Sequence, residues 1–550
     1  MFWPTLGHQF LDWDDDRNLV NNPDFRGLGW SNLRWMLTTT LMGHWIPFTW
    51  LTFGTDYVIW GMKPFGYHLS NVLLQAGAAV AMYFVTLRLL RTATAGGEVA
   101  LRLGALAAAL FFAIHPLRVE SVAWATERRD VLSGLWFLLT VLTYLVSADR
   151  PARRGRWLAA SLACYALALT SKAIVMTLPA VLLILDVYPL RRLSGWRPWS
   201  TAEGRRALVE KIPFVLLAVA GAGMAVYALR THAAEMIVAQ PLESRIAAAV
   251  YGVAFYAWTT FVPAAISPLY QLPRRVDPAD PVMLGSAAAV VAVTALLLWQ
   301  RRRWPAGLAA WLAYLVLLAP VSGLVQSGPQ LVAARYSYLA GLGFAVLVGA
   351  GVGWLARRAL GPPLAWRWAG VAGAVVAVGL AGLGALTWSQ THVWRDSETL
   401  WTYVVAVDPA SSIAHNNLGF AYLQQGRLAD AEREILTALR LDPEWELAHA
   451  NLAVALLRQG RLAEAGEARV QLGYMLLKHG KYEAAIDLFQ KEVASRPGDA
   501  AAHNNLGAAL LLRGQVEPAI GQFEEALRIN PGHEKARRNL AAARQRQLGR

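Results

Sequence analysis

The chain is short of cysteine and of charge, and each shortage excludes something. Its single cysteine, Cys164, has no partner within the chain, so neither a disulfide framework nor a cysteine-based metal site is available. No His/Cys spacing has the form of a zinc site. Charged residues are only 16% of 550, against 56% hydrophobic residues and 23 Trp. At a mean hydropathy of +0.34 this is too apolar for an ordinary soluble protein of its length. The composition reads as a membrane protein. The net charge of +14 does not point to nucleic acid, because the Arg clusters Arg153-Arg154, Arg191-Arg192 and Arg301-Arg302-Arg303 stand between apolar segments, where they act as orientation signals. Before the acidic run Asp12-Trp-Asp-Asp-Asp16 there is no room for a signal peptide or a spanning helix. The expectation is a late start or a lost first span.

Residues 1–65 are aromatic and polar, with Trp30, Trp35, Trp45, Trp50 and Trp60, and read as a large loop with in-plane helices at a bilayer interface. Apolar runs then follow at about 66–90, 100–117, 130–148, 156–172, 173–190, 211–229, 246–267, 282–300, 304–325, 336–356 and 367–388, each near the length of a membrane helix. The expected second domain is therefore a polytopic bundle over 66–390. The connections Arg88 to Arg102, Arg150 to Arg156 and Arg191 to Lys211 are strongly basic and are assigned to the cytoplasm. For Arg301–Arg303 and Arg357-Arg358 to join them, 246–267, broken by Pro263, must dip into the membrane or lie along it. The acidic loop, the segment 231–245, Arg335 and everything after Trp388 then lie on the other side.

The stretch His115 to Asp130 places six charged residues between two apolar runs, which is costly at bilayer depth and marks a place where water, a partner or a substrate is met. Read as one helix after Pro116, it puts Glu120, Glu127 and Asp130 on one face and Arg118 and Arg129 on the other. His115 either caps that helix or orients a carboxylate or a sugar hydroxyl. His44 and His68 read as interfacial fillers.

From about Trp394 the pattern becomes soluble, charged and helical, and it repeats. Asp408-Pro409 recurs at Asp442-Pro443, Gly426 at Gly460, Gly480 at Gly514 and Pro497 at Pro531, each 34 residues apart. That is the tetratricopeptide period, so 391–550 is predicted to be an α-solenoid. Gly460 to Gly480 is only 20 residues, so the second repeat is shortened by 14. Asn417, Asn451, Gln471, Asn505 and Asn539 occupy one repeat position, from which their amides are placed to bond an extended peptide. The bland alternative is that they bond a neighbouring helix.

The fold class read from these parts is all-α, a polytopic membrane helix bundle followed by a tetratricopeptide-repeat solenoid. Their order resembles the tetratricopeptide-repeat transmembrane O-mannosyltransferases and their bacterial relatives, within the C-type glycosyltransferase superfamily. The motifs that carry the resemblance are Trp13-Asp-Asp-Asp-Arg-Asn-Leu-Val-Asn-Asn-Pro23, Pro64-Phe-Gly-Tyr-His-Leu-Ser-Asn71, His115-Pro-Leu-Arg-Val-Glu-Ser-Val122 with Glu127-Arg-Arg-Asp130, Ser171-Lys172 and Arg335-Tyr-Ser-Tyr-Leu339. The resemblance implies transfer of a sugar from a polyprenyl-phosphate carrier to a protein acceptor on the non-cytoplasmic side of a bacterial plasma membrane. It implies a catalytic acidic pair in the first external loop, drawn from Asp14, Asp15 and Asp16, with Asp15 and Asp16 favoured, and in some members a divalent cation such as Mg or Mn. Ala173 and Ala334 stand where it implies acidic residues.

Chemically, glycosyl transfer needs a base near the acceptor hydroxyl and positive charge for the departing phosphate. The aspartate run supplies the first. Lys172 and Arg335 are candidates for the second, with His115, Glu120, Glu127, Arg128 and Asp130 as further substrate-binding candidates. The competing reading is a membrane-anchored repeat scaffold without catalysis. A transporter would show repeats within the spans, and none are visible.

Overall fold

The chain is described here by a computed structural model covering all residues except 95, 194–197, 232–239, 325–327, 360–364 and 549–550. The assignment of 231–245 to one side therefore falls mostly outside the described residues. Two compact units divide the chain, Met1–Leu400 and Trp401–Arg550.

Among its described residues the regular structure of the first unit is helical apart from one antiparallel ribbon joining Tyr270–Gln271 to Gln330–Val332. Proline opens several of its helices, at Pro47, Pro64, Pro281 and Pro305, where the missing N–H would have had no partner in any case. Among the described residues six helices are long and apolar enough to cross a membrane, Pro64–Ala93, Ala125–Asp149, Ala202–Arg230, Pro281–Trp299, Leu342–Ala359 and Gly370–Val393. Glu98–Ala113 with Pro116–Ala123 passes the same test as a pair bent by 55°. The apolar runs at 173–190 and 304–325 form shorter helices, Leu178–Val187 and Pro305–Leu318. The run at 246–267 becomes the 20-residue helix Leu242–Phe261, which is not among the six.

Helices Glu98–Ala113 and Leu342–Ala359 meet backbone to backbone. A Cβ added at Gly104 would lie 2.6 Å from the Gly349 carbonyl oxygen, and one at Gly349 would lie 2.5 Å from that of Gly104. Only glycine permits this approach, a common device where helices pack without a hydrophobic driving force.

The second unit stacks eight helices, Ser412–Gln424, Leu428–Leu441, Glu446–Arg458, Leu462–Lys478, Tyr482–Ser495, Ala500–Leu512, Val516–Ile529 and Glu534–Leu548. Gly426, Gly460, Gly480 and Gly514 end helices with φ between +72° and +86°, which explains why glycine recurs there. The shortened repeat is resolved by one 17-residue helix, Leu462–Lys478, that serves two roles. Its first half packs Ala465 and Ala468 against Ala453 and Leu456 of the preceding helix. Its second half sets Gly473 against the Phe489 ring, as Gly507 sits against Phe523 one repeat later.

Candidate functional site

The His115–Asp130 stretch is not one helix. A 3₁₀ turn over Pro116–Arg118 leads into the short helix Val119–Ala123; Trp124 is extended, a second 3₁₀ turn spans Ala125–Glu127, and a long helix starts at Arg128. A buried break of this kind leaves backbone groups that need partners. Asn71 Nδ2 donates to the Val122 and Trp124 carbonyls, each at 3.3 Å. Asp15 accepts from the Thr126 N–H at 2.9 Å and the Thr126 hydroxyl at 2.5 Å with Oδ1, and from the Leu11 N–H at 3.0 Å with Oδ2.

Because of the break, the three carboxylates converge as expected but with the cations among them. Glu127, fully buried, takes Arg129 at 2.5 Å, Lys172 at 3.0 Å and Arg335 at 3.5 Å. Asp130 takes Lys172 at 2.6 Å and the Ser121 hydroxyl at 3.1 Å. Glu120 accepts the Arg335 N–H at 3.0 Å and pairs with the Arg335 guanidinium. The expectation that Arg129 faces away from the carboxylates is thus corrected, since the helix that would have separated them is interrupted at Trp124. Arg335 also lies over the Trp124 ring at 5.6 Å, and Trp124 is stacked between Trp13 and Trp394 at 4.5 and 5.7 Å.

The aspartates divide by environment. Asp15 is fully buried with both oxygens occupied, and burial pushes its carboxyl up to about 7 against the three donors that pull it down. Asp15, one half of the expected catalytic pair, pins the external loop to the 125–127 turn through two hydrogen bonds accepted by Oδ1 and one by Oδ2. Asp16 is half-buried and accepts its neighbour Arg17's N–H at 2.7 Å. Asp14 is half-buried, and none of its side-chain oxygens has a hydrogen bond or ion pair among the described residues. Burial raises its carboxyl above the usual range, Arg129, Arg335 and Arg17 pull it back, and Glu127 raises it further, which places Asp14 within the field of the cluster.

Two other expected substrate contacts are corrected. Arg128 is buried away from the cluster, paired with Asp56 at 2.5 Å, donating to Asn71 Oδ1 and the Tyr67 carbonyl, and lying 4.4 Å from the centre of the Phe53 ring. It joins the Pro47–Trp60 helix to the Pro64–Ala93 helix. His115 is buried with both ring nitrogens used; Nδ1 accepts from the Leu117 N–H at 3.2 Å, which leaves Nε2–H to donate to the Thr260 carbonyl at 2.9 Å. The capping reading holds.

Sequence reasoning missed His44. The residue as a whole is exposed, and its imidazole senses Arg129, Lys172, Glu127 and Arg335. Crowding by the surrounding protein and then the cations push its pKa down to about 3, so the imidazole is neutral at physiological pH. Only its place among the interfacial tryptophans was visible in the sequence. No group of three His, Cys, Asp or Glu residues among the described residues could hold a metal ion. Asp15 accepts on both oxygens, and Glu120, Glu127 and Asp130 each carry a cation.

A second buried charge cluster lies elsewhere in the unit. Asp186 accepts from Tyr144 Oη at 2.7 Å and from Arg192 at 2.9 Å and pairs with Lys211; Glu210 takes Arg192 at 2.6 Å and Arg154 at 2.7 Å.

In the repeat unit four of the five predicted amides bond side chains of their own solenoid. Asn451 donates to Asn416, which donates to Asn417, at 2.9 and 3.1 Å. Asn539 donates to Asn504 at 2.9 Å, and Asn505 accepts from Tyr474 at 3.1 Å. Gln471 is exposed, while Asn417 and Asn539 are half-buried.

Comparison with known proteins follows this division. Tetratricopeptide-repeat family models match residues 412–445 and 470–534, on either side of the first part of the double-role helix. Protein O-mannosyl-transferase Tmtc3 of Drosophila melanogaster is 25% identical over 72% of this chain and 48% of its own length. Protein O-mannosyl-transferase TMTC4 of Homo sapiens is 30% identical over 33% of this chain and 27% of its own. The chain is similar to protein O-mannosyl-transferases. It spans less than half the length of either of these transferases. Among solved structures, MamA from Desulfovibrio magneticus RS-1 is 22% identical, covering 25% of this chain and 85% of its own, at a TM-score of 0.16.

Proposed function

We propose that the chain is an integral-membrane glycosyltransferase that moves a sugar from a polyprenyl-phosphate carrier to a protein hydroxyl on the non-cytoplasmic side. The observation that carries this reading is Asp14, a half-buried carboxylate with no side-chain hydrogen bond or ion pair among the described residues, set in the field of Arg129, Arg335 and Arg17, in a chain similar to protein O-mannosyl-transferases. Asp14 takes the proton of the acceptor hydroxyl as its oxygen forms the new bond to the anomeric carbon and the bond from that carbon to the carrier phosphate breaks. Protonating Asp14 removes one negative charge from the site, so its field becomes more favourable to an anion at the moment the phosphate leaves. His44, neutral and accessible, is placed to accept from or donate to a sugar hydroxyl. Asp16 remains a neighbour that tunes Asp14 by like charge.

Sidedness is supported by helix direction. Pro64–Ala93 runs from Tyr67 and Asn71 beside the site to Arg88 and Arg91; Leu342–Ala359 starts just after the Arg335 turn and ends at Arg357-Arg358; Lys172 ends a helix that begins at Arg154. The basic ends thus lie opposite the site, which suits a cytoplasmic placement of the basic ends. The last long helix of the unit returns Trp394 to Trp124, on the site's side. On this reading the repeat domain meets its acceptor there, with half-buried Asn417 and Asn539 and exposed Gln471 as the amides that retain access.

The full chain in vesicles, supplied with radiolabelled mannosyl-phosphoryl-polyprenol and a mixture of acceptor peptides, is expected to transfer label. Asp14→Asn is expected to lower transfer by about 10²-fold or more, and near-wild-type activity in that variant would overturn the assignment. One observation favours the scaffold reading instead: every cation of the cluster already has a carboxylate partner. Under it, wild type transfers nothing from any carrier and the repeat unit still captures peptides.

A further inference from the structure

A cleft of about 760 Å³ runs between helices Pro64–Ala93, Ala125–Asp149, Leu178–Val187, Pro305–Leu318 and Leu342–Ala359. Its walls are almost entirely aliphatic and aromatic, from Met82 and Phe137 to Val346 and Ala350. Polar groups gather at one end, where Arg303, Trp304, Trp354, Thr94 and Tyr188 line the mouth. Tryptophan, tyrosine and arginine together are the residues that settle at a membrane–water boundary. A second guanidinium stands at the same mouth, Arg358, 4.1 Å from the centre of the Trp354 ring. Neither Arg303 nor Arg358 pairs with a carboxylate among the described residues.

Position and length identify what fits. The cleft follows the last long helix of its wall from Leu342 to Trp354, about 18 Å at 1.5 Å per residue, which matches one leaflet, about half of a 30 Å hydrocarbon core. The acidic site is at the other end of the same helices, since Asp130 precedes Phe137 by two turns and the Arg335 turn precedes Leu342. A carrier whose phosphate must reach that site enters from the opposite leaflet. Water gains nothing in an apolar slot of this size, whereas an acyl chain fills it.

We propose that this cleft holds an acyl chain of an anionic phospholipid from the leaflet opposite the acidic site, its phosphate held by Arg303 and Arg358. The assignment does not depend on transferase activity.

Native mass spectrometry of the detergent-purified full chain, titrated with phosphatidylglycerol and with phosphatidylcholine, tests it. Two interfacial cations predict that phosphatidylglycerol binds at least about tenfold more tightly. Arg303→Glu with Arg358→Glu is expected to abolish that preference while leaving weak binding of both lipids. Gly351→Trp is expected to lose both. Gly351 lines the cleft and a Cβ there meets nothing within 4 Å, so the ring enters the slot without a backbone clash, and an unchanged melting temperature in lipid-free detergent checks the fold. Gly351→Leu serves if the tryptophan variant melts early. Equal retention of the two lipids by wild type, phosphatidylglycerol retained by both Gly351 variants, or displacement of phosphatidylglycerol from wild type by polyprenyl monophosphate at equal concentration would overturn the proposal.

Discussion

The membrane unit contains two buried charge clusters built from the same kinds of side chain, and they are finished differently. The cluster around Asp186 and Glu210 is closed: Arg154, Arg192, Lys211 and Tyr144 take up the carboxylate oxygens and tie four chain segments together. The cluster around Glu127 is equally well paired within the fold, but Asp14 and His44 lie in its field with no side-chain partner among the described residues. A staple ends when its own charges are satisfied. A site keeps groups in reserve whose partners arrive from outside, and a perturbed titratable group in such a place is a functional candidate.

The sharpest way to break this comparison is Asp14→Asn. Loss of a general base is expected to lower mannosyl transfer by about 10²- to 10⁴-fold, read from labelled acceptor, with the melting temperature unchanged because Asp14 makes no bond to lose. The raised carboxyl places the acid limb of the rate profile above the ordinary carboxylate range, the rate rising with pH as Asp14 ionises. Asp186→Asn should do the reverse. It strands Lys211 in the interior, removes one of the two carboxylates on Arg192, and is expected to cost about 3–5 kcal/mol of stability, measured by denaturation in detergent, with turnover per folded molecule intact.

Asp15→Asn tests whether adjacency to Asp14 implies a shared role. An amide nitrogen cannot accept, so the bond from Leu11 or those from Thr126 are lost, at about 1–3 kcal/mol. Because the folded carboxyl titrates near 7 rather than in the ordinary range, native Asp15 binds its proton more tightly than the unfolded chain does. Its contribution to stability therefore declines as pH rises from about 4 to about 7, and the melting gap between wild type and Asp15→Asn is expected to narrow over that interval. The smallest effect is expected in the repeat unit, where Asn451→Ala frees one Asn416 oxygen and costs about 0.5–1.5 kcal/mol in urea unfolding.

Much of the architecture was legible in the chain. The 34-residue recurrence of glycine marks where φ must be positive, and the 20-residue interval between Gly460 and Gly480 marked a shortened repeat, which the structure accommodates with the single helix Leu462–Lys478. The stretch His115 to Asp130 was also recognisable as a place of convergence, since six charges between apolar runs have few tolerable explanations. The roles within it were less legible. Arg128 and Arg129 are adjacent and chemically identical, yet one locks to Asp56 and the other to Glu127. The difference arises from a break at Trp124 that helical periodicity could not foresee, because its backbone partners, Asn71 and Asp15, come from 53 and 111 residues away.

Composition and periodicity by themselves determined that this chain enters a membrane, ends in a solenoid and collects acids and bases at two points near its beginning. Those conclusions follow from local quantities, the transfer energy of side chains and the pitch of a helix. Only the tertiary structure decided that Asp14, not Asp15, keeps a free carboxylate, that His44 joins it and that the asparagines spend their amides on each other. Which group is left unpaired is a property of the whole set of neighbours, and those neighbours are brought together by folding over distances that no pattern in the sequence spans.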